Sequence, residues 1–324
     1  MPQRASGGWW LAAMVDASVV SQRFQTLTPL LYDWLATTTR TWPSLACRWG
    51  PPSSAAASGG DSSRSRQRLY FSEQTDGSAP NTLIASYVDV VKPRHADAAS
   101  VARAWDRQAG AGSAFRKGKT VYHTGEVNKI REVNGVPPEV EMVVTHSDVP
   151  VVYLWRLGSQ PDRFGDGNTK PSTPDAVLTG HTAEARFALA TSATSACVAS
   201  GGEDAAVCLW RLADADQSLF GAGDAGRPSL NSGGLGGLSA AAGAPQVPAA
   251  CRFEGHTQTV EDVSFHPSRD TQLCSVGDDS SLCIWDSAAG TRPVLKVRPS
   301  HPRCHCSIAH SPPPCAAGAS PRGV

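Results

Sequence analysis

The chain has 324 residues, enough for one large domain or two small ones. Its 29 basic and 29 acidic side chains cancel, which argues against direct nucleic-acid binding and favours basic proteins as partners for local acidic spots. The apolar run Trp9–Val15 is too short to span a bilayer and lacks the flanks of a secretory signal, so no membrane association is expected and the nine cysteines are read as mostly free thiols.

Residues 1–15 are expected to be disordered. Over 16–37, Val20, Phe24, Leu27, Leu31 and Trp34 recur at three- and four-residue spacing, which predicts an amphipathic helix. Pro29, preceded by Thr28 as a cap, should kink it. The string WPSLACRW, Trp42 to Trp49, reads as a strand and 50–66 as a loop. Arg68 to Gln74 and Thr82 to Val91 read as strands joined by a turn at Asp76-Gly77. After a loop at 93–118, strands are expected within Lys119–Val133, Glu141–His146 and Val151–Leu157. No long helix separates these runs, so the fold class is all-β. The Gly-, Ala- and Ser-rich stretch 213–250 reads as a disordered insertion, and 298–324 as a disordered or aberrant tail. Cys197, Cys208, Cys274 and Cys283 lie in strand-like runs and read as small buried hydrophobes.

Two segments align without a gap, Gly180 to Trp210 and Gly255 to Trp285. Ser200, Asp204 and Trp210 follow His181 by 19, 23 and 29 residues, and Ser275, Asp279 and Trp285 follow His256 by the same intervals. Thr145 to Trp155 is a weaker third copy, with Val149 at the aspartate place and Asp148 one residue early, so its network should be incomplete. The Gly-His opening, the Ser-Gly-type strand end, the Asp turn and the closing Trp resemble a WD40 β-propeller blade. That resemblance implies a buried hydrogen-bonded tetrad linking strands. A His–Asp pair beside a serine is also the set of a hydrolase. Here it occurs twice, without a Gly-x-Ser-x-Gly elbow or a His-Glu-x-x-His helix, so no enzymatic activity and no cofactor are expected.

Longer strings narrow the resemblance. LLYDWL (Leu30 to Leu35), RLYFSEQTDGSAPNTL, GEVNKIRE (Gly125 to Glu132), TVEDVSFHP (Thr259 to Pro267) and VGDDSSLCIWD are similar to the MSI-type, retinoblastoma-binding WD40 family, the small subunits of chromatin assembly factor 1. SEQTDG and FALA are most similar to its plant FVE-type branch. The resemblance covers most of 16–297. It implies a nuclear, catalytically inert scaffold in chromatin-based gene repression. Its implied partners are histones H3 and H4 and the subunits of chromatin-assembly, deacetylase or Polycomb complexes. For a basic H3-type tail it implies Glu126, Asn128, Glu184, Phe187, Glu261 and Asp262. For a histone H4 helix it implies Leu30, Leu31 and Trp34 as one wall of a groove.

The chain departs from the family near Val297, after signatures for three to four of the family's seven blades. A partial propeller over 42–297 is therefore expected, with WPSLACRW lacking its strand partner. The family's Trp-Asp-x-Arg ending implies a second reading, a cullin-4 ubiquitin-ligase substrate receptor, and the departure near Val297 a third, a non-functional truncated fragment. Ligase docking would need an arginine two places after Trp285-Asp286, where Ala288 stands. The tail residues His301, Cys304, His305, Cys306, His310 and Cys315 lack the spacing of a zinc knuckle, so no metal is expected.

Overall fold

The computed structural model describes residues 38, 40–52, 64–91, 115–137, 140–215 and 243–298. The helix expected over 16–37, the stretch 1–15 and the tail 299–324 lie outside the described residues.

The first sheet has the order β1 (Cys47–Pro52), β2 (Arg64–Glu73), β3 (Thr82–Val91) and β4 (Phe115–Tyr122). The second runs β5 (Lys129–Glu132), β6 (Met142–His146), β7 (Val151–Arg156) and β8 (Ala176–Thr179), all antiparallel. The third opens with β9 (Leu189–Thr191), β10 (Cys197–Gly201) and β11 (Ala206–Arg211), and a single 3-10 turn, Leu212–Asp214, follows. The chain then returns to the second sheet as β12 (Gln246–Pro248), parallel to β8, before β13 (Cys251–Glu254) completes the third. The fourth sheet is β14 (Val260–His266), β15 (Arg269–Gly277), β16 (Leu282–Asp286) and β17 (Leu295–Val297). These successive sheets are the blades of a propeller-like, incomplete all-β fold.

Four boundaries differ from the sequence reading. WPSLACRW becomes strand only from Cys47, and β1 is partnered by β2 in the first sheet. Strand β2 starts at Arg64 inside the loop expected at 50–66, because RSRQR has no apolar alternation to announce it. Strand β4 starts at Phe115 inside the loop expected at 93–118. Strand β12 falls inside the insertion expected at 213–250, and backbone bonds from Val177 to Pro245 and from Ala249 to Thr179 hold it there.

The described residues fall into two compact units. Residues 38, 40, 51–52, 64–68, 87–91 and 115–116 belong to one, and the rest to the other. In the smaller unit Asp89, nearly buried, accepts from Arg66 Nε at 2.9 Å and Arg116 Nε at 3.3 Å. These charge-assisted bonds hold its carboxyl below the usual range against the opposing effect of burial.

In the larger unit, side chains on alternate faces of each strand feed three apolar layers. Tyr153, Trp155 and Val143 join Tyr70, Leu83 and Val121 in the first. Val144, Val152 and Leu154 meet Leu189, Val198, Cys208 and Trp210 in the second. Val207, Leu209 and Phe253 meet Val263, Leu273, Cys283 and Trp285 in the third. With both faces covered, MVVTH and VVYLWR are near-continuous apolar runs. The fourth sheet shows Ile284, Leu295 and Val297 to solvent, at the places where the third buries Leu209 and Phe253 and half-buries Cys251.

The hairpin turns after β10 and β15 place Ala205 (φ 56°) and Ser280 (φ 57°) in the left-handed region, which costs a residue with a Cβ roughly 1–2 kcal/mol. Replacing either by Gly should raise stability to chemical denaturation by about 1 kcal/mol. Gly135→Ala should lower it, because Gly135 has φ 71° and a Cβ there would lie 2.7 Å from the Ser195 backbone.

Candidate functional site

In the fourth sheet the Trp285 indole N–H donates to Ser275 Oγ at 2.8 Å. An indole nitrogen can only donate, so the serine passes its own proton to His256 Nε2, 2.7 Å away. His256 is left with Nδ1–H, which points at Asp279 Oδ1 at 2.9 Å. The four polar groups thus form one directed chain, buried where an unpaired member would be costly.

The third sheet keeps two of these links and replaces the other. His181 Nδ1 meets Asp204 at 3.0 Å and its Nε2 meets Ser200 Oγ at 2.9 Å. Trp210, placed in the sequence reading as the fourth member, bonds elsewhere: its indole N–H donates to Thr179 O at 3.0 Å. Its ring stands 6.2 Å from His181, close to the 6.1 Å between Trp285 and His256, so the change lies in the partner and not the packing. The place on Ser200 is taken by His146 of the second sheet, with Nε2 at 2.8 Å. With the His181 Nδ1–H directed at Asp204, its Nε2 accepts from Ser200, and His146 is then the donor to Ser200 through Nε2–H.

The second sheet has the same chain without its acid. Trp155 donates to Thr145 Oγ1 at 2.9 Å, and Thr145 meets His123 Nε2 at 2.8 Å. His123 Nδ1 faces Gly125 O at 3.3 Å. Asp148 turns away and accepts from Asn128 Nδ2 at 3.0 Å.

Burial alone would raise the Asp204 and Asp279 pKa values. Bonds from His181, the Thr182 N–H and Arg252 outweigh it at Asp204, and bonds from His256 and Lys296 at Asp279, so both carboxyls sit well below the usual range. Arg252 Nη1 reaches Asp204 at 2.7 Å and Gly180 O at 2.9 Å, and Lys296 Nζ reaches Asp279 at 3.2 Å and also Gly255 O. Burial pushes His123 down to about 4. Burial, then repulsion from His181, pushes His146 well below its ordinary value. The Arg186 backbone opposes that shift, and His146 Nδ1 has no hydrogen-bond partner among the described residues.

The first strands β5, β9 and β14 lie side by side, and the residues assigned to tail recognition stand at their entry ends. Glu126 is held by the Gln74 amide. Asn128 is buried. Glu184 pairs with Arg186, which also faces Glu203 at 3.6 Å and feels Asp148. Asn128 and Glu184 are thereby brought into one polar cluster through Asp148 and Arg186. Phe187 is 50% exposed. A bulge between Val260 and Asp262 leaves Glu261 exposed and Asp262 half-buried. Leu30, Leu31 and Trp34 lie outside the described residues. Among the described residues no group of His, Cys, Asp or Glu could hold a metal ion, the cysteines are free thiols, and no helix is long and apolar enough to cross a membrane.

Residues 172–211 and 249–286 match the WD domain, G-beta repeat, each ending one residue past a blade's tryptophan. Residues 21–92 match the family described as histone-binding protein RBBP4 or the C subunit of the CAF1 complex. The chain is 43% identical over 286 residues to the WD-40 repeat-containing protein MSI4 of Arabidopsis thaliana. The chain belongs to the MSI/RBBP4-type family of WD40 proteins. The alignment covers 86% of this MSI/RBBP4-type chain and 53% of the relative, so the chain spans about half that protein's length.

Four members of the polar network escaped the sequence reading of this WD40 chain. His123 follows Tyr122 instead of Gly, and 22 residues separate it from Thr145 instead of 19. His146 bonds in the neighbouring sheet, 54 residues away. Arg252 and Lys296 share a place on the outer strands β13 and β17, opposite Cys208 and Cys283, and that shared place is the signal that could have found them.

A double-mutant cycle should give a coupling of roughly 1 kcal/mol between His146→Phe and Ser200→Ala, whereas Trp210→Phe and Ser200→Ala should add to within about 0.5 kcal/mol. Acid should also destabilise the fold early. Unfolded, His123 and His146 take up protons near pH 6.5; folded, they stay neutral, His123 down to about 4. The unfolded state therefore binds more protons in that window, and stability falls as pH drops through it. At pH 5 each histidine should account for about 2 kcal/mol. His146→Gln, which keeps an N–H donor, should flatten the dependence of the thermal midpoint on pH between 7 and 5.

Proposed function

We propose that this protein is a non-catalytic, nuclear, histone-binding scaffold that acts in chromatin-based repression. In this reading its partners are histones H3 and H4 and the subunits of chromatin-assembly, deacetylase or Polycomb-type complexes. The family description matched by residues 21–92 names histone binding, and the observation that carries the reading is the polar set at the entry ends of β5, β9 and β14. Glu261 and Phe187 are exposed there, with Asp262 and Glu184 near them in the chain, and Glu126 and Asn128 precede the neighbouring strand β5. Carboxylates attract Lys and Arg of a basic tail, and an aromatic ring with a fixed amide sets its register. Leu30, Leu31 and Trp34, inside the matched 21–92, are proposed as a wall for the H4 helix.

A scaffold role also fits the state of the would-be catalytic groups. Ser200 and Ser275 are fully buried and each is bonded to two partners, which leaves no hydroxyl free to attack a substrate.

Fluorescence anisotropy with an H3 N-terminal peptide tests the reading. Glu261→Ala, Phe187→Ala and Glu126→Ala should each weaken binding about fivefold, near 1 kcal/mol, with the glutamate effects shrinking at high salt. Equal affinity in all three variants and wild type would exclude the acidic tail site.

A further inference from the structure

The first strand of the second sheet carries two cations, felt by Glu132 and Asp262, that have no ion-pair partner among the described residues. Lys129 and Arg131 stand two residues apart on β5, so both side chains leave the same face. Their cross-strand partners are His146 and Val144. Val144 packs against the third sheet and His146 bonds into it, so this face looks toward the third sheet. Arg131 is 8% exposed, yet its five N–H donors find one bond, from Nη1 to Ile130 O at 2.9 Å. Lys129 is half-buried, and its ammonium has no hydrogen-bond or ion-pair partner among the described residues. The neighbouring Arg48 is occupied by Glu132, with both contacts at 3.1 Å. Asp262 faces the pair from β14, near enough to be felt by both.

Burial pushes Arg131 down to about 10, with Arg48 adding to the shift, and burial then repulsion from Arg131 pushes Lys129 down. Groups in this condition are normally paired or liganded. We infer that Lys129 and Arg131 form a binding site for a small phosphate-class oxyanion. A guanidinium fork matches two oxygens of such an ion, and the ammonium adds a point charge. The two residues stand roughly 7 Å apart along the strand, a span that suits pyrophosphate better than a monatomic ion. The slight exposure of Arg131 excludes bulky ligands. Neither cation belongs to the proposed tail site, so Lys129→Met tests the inference separately from the histone reading; Asp262 is shared by both.

The test is calorimetric titration of the full chain with pyrophosphate and, separately, inorganic phosphate and sulfate, at ionic strength held constant with sodium chloride. Wild type should bind pyrophosphate saturably. Lys129→Met should weaken binding roughly tenfold or more, and Asp262→Asn, which removes the opposing carboxylate, should tighten it. Circular dichroism checks that each variant is folded, and those two variants decide the matter if Arg131→Met does not fold. Absence of saturable binding, or affinities unchanged by Lys129→Met and Asp262→Asn, would overturn the site.

Discussion

Each of the hydroxyls of Thr145, Ser200 and Ser275 has one proton to give and lone pairs to receive, and each is fully buried. With one donor on the oxygen and a histidine nitrogen as its other partner, the hydroxyl proton is satisfied by pointing at the histidine. The histidine proton is then forced to its other nitrogen and toward the acid, where one exists. An indole fills the donor place in the second and fourth sheets, and a histidine from the neighbouring sheet fills it in the third. The local variation in these sheets is variation in who supplies that first proton and who receives the last one.

This constraint ties the core to the surface. The network sits at the strand ends where Gly202 and Gly277 pass so close that an added Cβ would lie 2.8 Å from His181 Nδ1 and 3.1 Å from His256 Nδ1. Asp204 and Asp279 each hold the backbone N–H of the residue after their histidine, Thr182 and Thr257, at 2.9 and 3.1 Å. The loop that carries Glu184 and Phe187, and the segment that leads into Glu261 and Asp262 on β14, start from these pinned residues. The His146 bond joins the second sheet to the third at the same level, next to the strand that bears Lys129 and Arg131. The charged groups proposed to meet a partner are held in register because the segments behind them are fixed by buried bonds.

What the sequence reveals of this depends on how local each interaction is. His256, Ser275, Asp279 and Trp285 belong to one sheet's own segment, so their spacing is visible as a repeat. The same spacing placed Trp210 on Ser200, because periodicity reports where a ring stands and not which acceptor its N–H selects. His146 was invisible for the complementary reason: its partner lies in another sheet. Strand β2 was missed where RSRQR is polar on both faces; its stabilisation comes from Arg66 and Asp89 rather than from apolar burial. The runs of β6 and β7 were legible because burial on both faces leaves an unbroken apolar signal. At the proposed tail site the residue types were legible from family resemblance. The Gln74 contact to Glu126 and the Asp148 contact to Asn128 were not, since both come from strands or turns distant in the chain.

The directed hydroxyl chain is tested most directly by the tautomers of its histidines. Long-range nitrogen–proton correlation spectra of the folded protein at neutral pH distinguish Nδ1–H from Nε2–H rings. The account requires Nδ1–H at His123, His181 and His256, and Nε2–H at His146. A spectrum with His146 protonated at Nδ1, or with either blade histidine, His181 or His256, as the Nε2–H form, would contradict it.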